Sequence, residues 1–109
     1  LTPQQVTSAG GERYPTVNES ITNSVETGTL VVDYFGHGGI NGWAQERILE
    51  VPQIQSWNNL NTLPLFIAVT CEFSRFDNPL QITAGELTFL NQNGGATNMI
   101  STTREIFIS

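Results

Sequence analysis

Apolar positions along the chain fall into a short series of runs whose periods differ. Val17, Ile21 and Val25 recur at i, i+4 and i+8, one stripe of a helix. Thr16-Val17-Asn18-Glu19 before it matches a capping box, and Gly28 stands where such a helix would end. Thr29-Leu30-Val31-Val32-Asp33-Tyr34-Phe35 is β-branched and aromatic and is closed by the glycines of Gly36 to Gly42, which predicts a strand running into a tight loop. Leu63-Pro64-Leu65-Phe66-Ile67-Ala68-Val69-Thr70 is nearly continuous rather than alternating, the pattern of a central strand covered on both faces.

Between these strands, Trp43 to Leu49 and Val51 to Trp57 read as helical turns, with Pro52 tolerated at a first helical position. Their combined length suits a right-handed crossover between parallel strands. Thr83-Ala84-Gly85-Glu86 repeats the capping-box pattern ahead of Leu87, Phe89 and Leu90. Asn93-Gly94-Gly95 then breaks the chain before a third strand, Ala96 to Thr102. The order is αβαβαβ, an α/β fold with a mostly parallel sheet in one unit.

Composition narrows the partners. The 109 residues are 39% apolar, enough for one modest core, but only 13% are charged, about half the usual quarter. Four arginines stand against ten carboxylates and there is no lysine, giving a net charge of −6. A chain with that balance does not neutralise a run of phosphates, so no nucleic-acid partner is expected, nor an anionic membrane surface. One cysteine, Cys71, excludes an internal disulfide and a cysteine-rich zinc module. No apolar window approaches a membrane span, and Leu1 to Arg13 lacks the basic-then-apolar order of a secretory leader. A start without Met and an apolar alternation at Ile106-Phe107-Ile108-Ser109 lead us to expect an excerpt of a longer chain.

His37 and Cys71 are the only histidine and the only cysteine, and each follows one of the two most strand-like runs. In an open parallel sheet, sites form outside the carboxyl ends of the strands. Two side chains leaving neighbouring strands there reach one substrate. A free thiol is only a few per cent ionised at neutral pH, and a nearby imidazole raises that fraction or protonates a leaving amine. A backbone N–H beside the histidine and that of Cys71 would bind the oxyanion of an acyl-transfer intermediate.

Other residues carry two readings each. Trp43 either walls a substrate cleft or packs in the core; Glu72 either touches substrate or faces solvent; Arg75 and Asp77 either pair or shape the loop after Cys71. Asp33 inside the first strand needs a partner if buried and otherwise faces solvent. The glycines from Gly36 do not complete a dinucleotide fingerprint, since the sixth position is Asn41. Zinc on His37 and Cys71 lacks enough further ligands, and a redox thiol lacks a resolving cysteine. No metal and no cofactor are expected.

The segments Leu30 to Gly39, ending in Phe35-Gly36-His37-Gly38-Gly39, and Leu65 to Phe73, ending in Thr70-Cys71-Glu72-Phe73, resemble the gingipain family of cysteine peptidases in the caspase-like clan. Supporting segments are Gly42 to Leu49, Phe73 to Pro79, Ala84 to Leu87 and Thr102 to Glu105, so the likeness runs from about Arg13 to the end. The resemblance implies a caspase-like three-layer sandwich, present over residues 1–109 as part of a catalytic domain. It implies His37 as general acid/base, Cys71 as nucleophile, and Gly38 with the Cys71 amide as oxyanion hole; Trp43 and Glu72 stand as candidate substrate contacts from their positions beside these residues alone. Within the family, the likeness is nearest to the sortase of the type nine secretion system. That implies a surface-exposed enzyme acting on C-terminal secretion signals of cargo proteins, with a lipopolysaccharide amine as an alternative acceptor and other secretion-system components as partners. The competing expectation is a non-catalytic adhesion or scaffold module that keeps the same fold.

Overall fold

Residues 6–8, 11–44 and 46–107 are described by the computed structural model. Strands β1 (Val6–Ser8) and β2 (Gly11–Arg13) pair antiparallel and lead into helix α1 (Pro15–Thr27). Pro15 starts the helix, because its fixed φ suits a first helical position and its missing N–H costs no bond there. The helix therefore begins one residue before Thr16, with Tyr14 at the cap and no side-chain cap bond, and the expected Thr16–Glu19 box does not form. The apolar stripe holds: Val25 is fully buried and Ile21 packs on the core.

Strands β3 (Val31–Phe35), β4 (Gly38–Gly39), β5 (Gly42–Trp43) and β6 (Leu49–Glu50) follow, then α2 (Val51–Gln55), β7 (Leu65–Val69), α3 (Ala84–Leu90) and β8 (Asn98–Ser101). The main sheet is parallel, in the order β3-β7-β8. The result is the expected mixed α/β architecture, compatible with a caspase-like fold. Val32, Tyr34, Phe66, Ala68 and Met99 share one face, where Val25 of α1, Ile54 of α2 and Ala84 of α3 join the same core.

The opposite face corrects the expectation for β7. Phe66 and Ala68 are fully buried, but Leu65, Ile67 and Val69 are half-buried, and their neighbours Val31, Phe35 and Ile100 are exposed. The near-continuous apolar run is thus fully covered on one face only.

Trp43 to Leu49 is the second correction. Instead of helical turns, β4, β5 and β6 form a small antiparallel sheet. Gly42 takes φ +145, and a Cβ there would lie 1.9 Å from the Leu49 carbonyl oxygen, so only glycine permits the approach of β5 and β6. Ala44 and Arg47 turn the chain with φ of 62° and 52°, which breaks any helix. The expected box before α3 does form. Thr83 Oγ1 accepts the Glu86 N–H at 3.3 Å while the Glu86 carboxylate accepts the Thr83 N–H at 2.7 Å.

Candidate active site

The site grows out of strand register. Phe35 lies opposite Val69 in the parallel pair β3–β7. His37 and Cys71 each come two residues later, so both leave the same edge of the sheet at the same level, on strands about 4.8 Å apart. The Gly36 N–H bonds the Val69 carbonyl at 3.3 Å and carries the pairing one step beyond the last matched residues. His37 is exposed and Cys71 half-buried.

Close packing couples the two loops. Thr70, directly before Cys71, is fully buried. A Cβ at Gly38 would stand 2.4 Å from Thr70 Oγ1 and 2.9 Å from the Gly42 carbonyl oxygen. The histidine loop therefore rests on the residue before the thiol, at a contact that no side chain at position 38 fits.

A third segment closes the same edge. After β8, the Thr102 hydroxyl donates to the Thr70 carbonyl, and the Thr102 and Arg104 carbonyls accept the N–H groups of Ser74 and Glu72 at 3.1 and 3.2 Å. The Cys71 thiol donates to the Ile106 carbonyl at 3.8 Å, a long sulfur contact. Arg104 clamps Asp77 with two nitrogens on the two carboxylate oxygens. Hydrogen bonding and charge from Arg104 hold the Asp77 carboxyl below its usual range, and the same bond raises Arg104. Arg75 pairs with Glu72 at 2.8 Å and reaches Asp77 at 3.8 Å.

The remaining sequence candidates separate. Trp43 is 2% exposed, stacked on Tyr34 at 4.4 Å and 7°, and tilted against Phe66 and Phe73. It offers a substrate almost no surface, so its place is beneath the histidine loop: an indole entering β5 from a glycine turn is drawn into the aromatic core. Glu72 is half-buried with φ 50°. It borders a cavity of about 280 Å³ together with Gly39, Ile40, Asn41, Gly42 and Arg47. Asp33 lies on the open face of β3 and is exposed, the solvent-facing alternative.

Sequence reasoning missed Tyr34, Thr70 and Thr102. The alternation of β3 turns Tyr34 inward with Val32, but its bond to the following loop depends on how that loop folds back. Nothing in the order of residues marks Thr102 as a partner of Thr70, since 32 positions separate them.

A mixed α/β chain whose main sheet is parallel, with an imidazole and a thiol following neighbouring strands, is compatible with a caspase-like fold. The family model for Peptidase family C25 matches residues 2–109, and the chain belongs to that family, the gingipain family. A solved structure described as "Structure of Protease" is similar to it, with a TM-score of 0.69 and 25% identity over 76% of this chain. The chain spans 18% of that protein's length. No curated protein matches it.

Proposed function

We propose that this chain carries the reacting groups of a cysteine peptidase. The observation that supports the reading above all is the register of β3 and β7, which brings His37 and Cys71 to one edge at one level. In this reading the Cys71 sulfur, having lost its proton to His37, attacks the carbonyl carbon of a peptide bond. The N–H groups of Gly38 and Cys71 receive the oxyanion. His37 returns the proton to the leaving nitrogen as the carbon–nitrogen bond breaks, which leaves a thioester on Cys71 and a free amine. Water, activated by the same imidazole, hydrolyses the thioester. Glu72, on the cavity wall, contacts the substrate chain beside the reacting carbonyl.

The finer reading is a secretion sortase. The motifs around His37 and Cys71 and the flanks Gly42 to Leu49 and Phe73 to Pro79 resemble PorU of the type nine secretion system. A thioester is equally open to an amine, so one intermediate serves both hydrolysis of a C-terminal secretion signal and transfer of cargo to a lipopolysaccharide amine. On this reading the enzyme works at the outer face of the outer membrane among other secretion components.

The test uses the natural protein. Cys71→Ala should abolish peptide cleavage and leave cargo with its C-terminal signal attached, read by mass spectrometry of the cargo terminus. Normal processing in that variant would overturn the peptidase reading and favour a non-catalytic surface module. Processing without any amine-linked product would remove only the transfer step.

A further inference from the structure

The histidine loop is gripped at one atom by two donors. The His37 carbonyl accepts the Tyr34 hydroxyl at 2.6 Å and the Ala44 N–H at 2.7 Å. That carbonyl and the Gly38 N–H belong to one planar trans peptide unit, in which the two groups point in opposite directions. Fixing the oxygen therefore fixes the direction of the Gly38 N–H.

The ladder says where that N–H points. Gly38 lies opposite Trp43 in the antiparallel pair β4–β5. The bond from the Ala44 N–H to the His37 carbonyl runs between the residues flanking this pair, which makes Gly38–Trp43 a non-hydrogen-bonded pair. The N–H of such a residue faces away from its partner strand, here away from β5.

We infer that Tyr34 is a positioning residue that aims the Gly38 amide at the oxyanion formed on Cys71. The inference rests on the peptidase reading above. Its support is local and geometric. The Tyr34 ring is itself held flat against Trp43, 4.4 Å between centroids and 7° between planes, so the hydroxyl is delivered from a fixed platform. The hydroxyl folds back over the loop so closely that a Cβ at Gly36 would lie 2.8 Å from Tyr34 Oη and 3.1 Å from Cζ. Burial, and then the Glu46 carboxylate, raise the phenol above its ordinary value of 10.0, which favours the protonated, donating form. Tyr34 touches no reacting atom; it acts through the peptide plane.

Two reactions of Cys71 separate this role from general support. Acyl transfer from a peptide ester develops an oxyanion, whereas alkylation by iodoacetamide is a displacement at carbon that develops none. In the natural protein, Tyr34→Phe keeps the stacked ring and removes only the hydroxyl. Acylation of Cys71, measured per titrated active site, should fall about tenfold with KM within about twofold. This is less than the roughly 10²–10³ lost when an oxyanion donor is removed outright. Alkylation should stay within about twofold. Gly36→Ala, which forces Tyr34 off the loop, should reproduce the same selective loss. Unchanged acylation in both variants would overturn the inference, and so would a parallel fall of acylation and alkylation, the mark of a merely loosened loop. A wild-type protein that alkylates but never acylates at Cys71 would instead overturn the peptidase reading on which the inference stands.

Discussion

The contact between Gly38 and Thr70 joins the two loops of the site, and Gly38→Ala tests it. The added methyl would stand 2.4 Å from Thr70 Oγ1, 2.9 Å from the Gly42 carbonyl oxygen and 3.3 Å from Thr70 Cγ2. An ordinary contact is nearer 3.4 Å, so β4 has to withdraw by about 1 Å. Thr70 is fully buried and its carbonyl is tied to Thr102, so its backbone is held in place behind the contact. Overpacking of this kind costs about 1–3 kcal/mol. A displacement of about 1 Å in a reacting constellation lowers the rate by roughly 10².

The assay pairs urea unfolding with peptide hydrolysis per folded molecule. Gly39→Ala is the stability control, because a Cβ there meets nothing within 4 Å. Its unfolding free energy should stay within about 0.5 kcal/mol of wild type. Truncating the obstacle gives a second check: Thr70→Ala should offset part of the Gly38→Ala cost, a favourable coupling of about 0.5 kcal/mol or more in a double-mutant cycle. Equal stability of the Gly38 and Gly39 variants, or full activity in Gly38→Ala, would refute the interlocked-loop account.

Two further predictions concern the supports of the same edge. Thr83→Ala removes the capping hydroxyl of α3 at a buried position and should cost about 1–2 kcal/mol in urea unfolding with an unchanged denaturant slope. Asp77→Asn breaks the clamp to Arg104. Because the folded carboxyl is held below 3.8, its stabilisation is complete above that value and is lost as pH falls through the lowered one. The wild type should therefore exceed Asp77→Asn in stability at neutral pH, and the difference should vanish in strong acid. A difference that persists there would assign the effect to something other than this carboxylate.

The parts legible in the sequence were those where local chemistry and tertiary packing agree. The Thr83–Glu86 box, the α1 stripe through Val25 and the strands around Val32 and Phe66 need only short-range pattern, and each has its counterpart in the structure. The placement of His37 and Cys71 on one edge followed from strand identity alone, because a parallel pair in register does the rest. The misreadings came from competition between local signals. Pro15 overrode the Thr16 box by starting the helix earlier. The glycine turn at Gly42 and the burial of Trp43 overrode the helical look of the segment to Leu49. Of the two readings open for Trp43 the structure takes the core one, because whether an indole faces a cleft or a core depends on which way the turn delivers it. Tyr34, Thr70 and Thr102 act through contacts to backbone atoms, and a backbone atom leaves no residue type to recognise.

The decisive measurement is the second-order rate at which a peptidyl acyloxymethyl ketone labels Cys71 in the natural protein, compared between wild type and His37→Ala. If the imidazole and the sulfur work as one unit, labelling should fall by about 10²–10⁴, the range of a positioned general acid/base. Equal rates in the two proteins would show an ordinary accessible thiol and contradict the account at its centre.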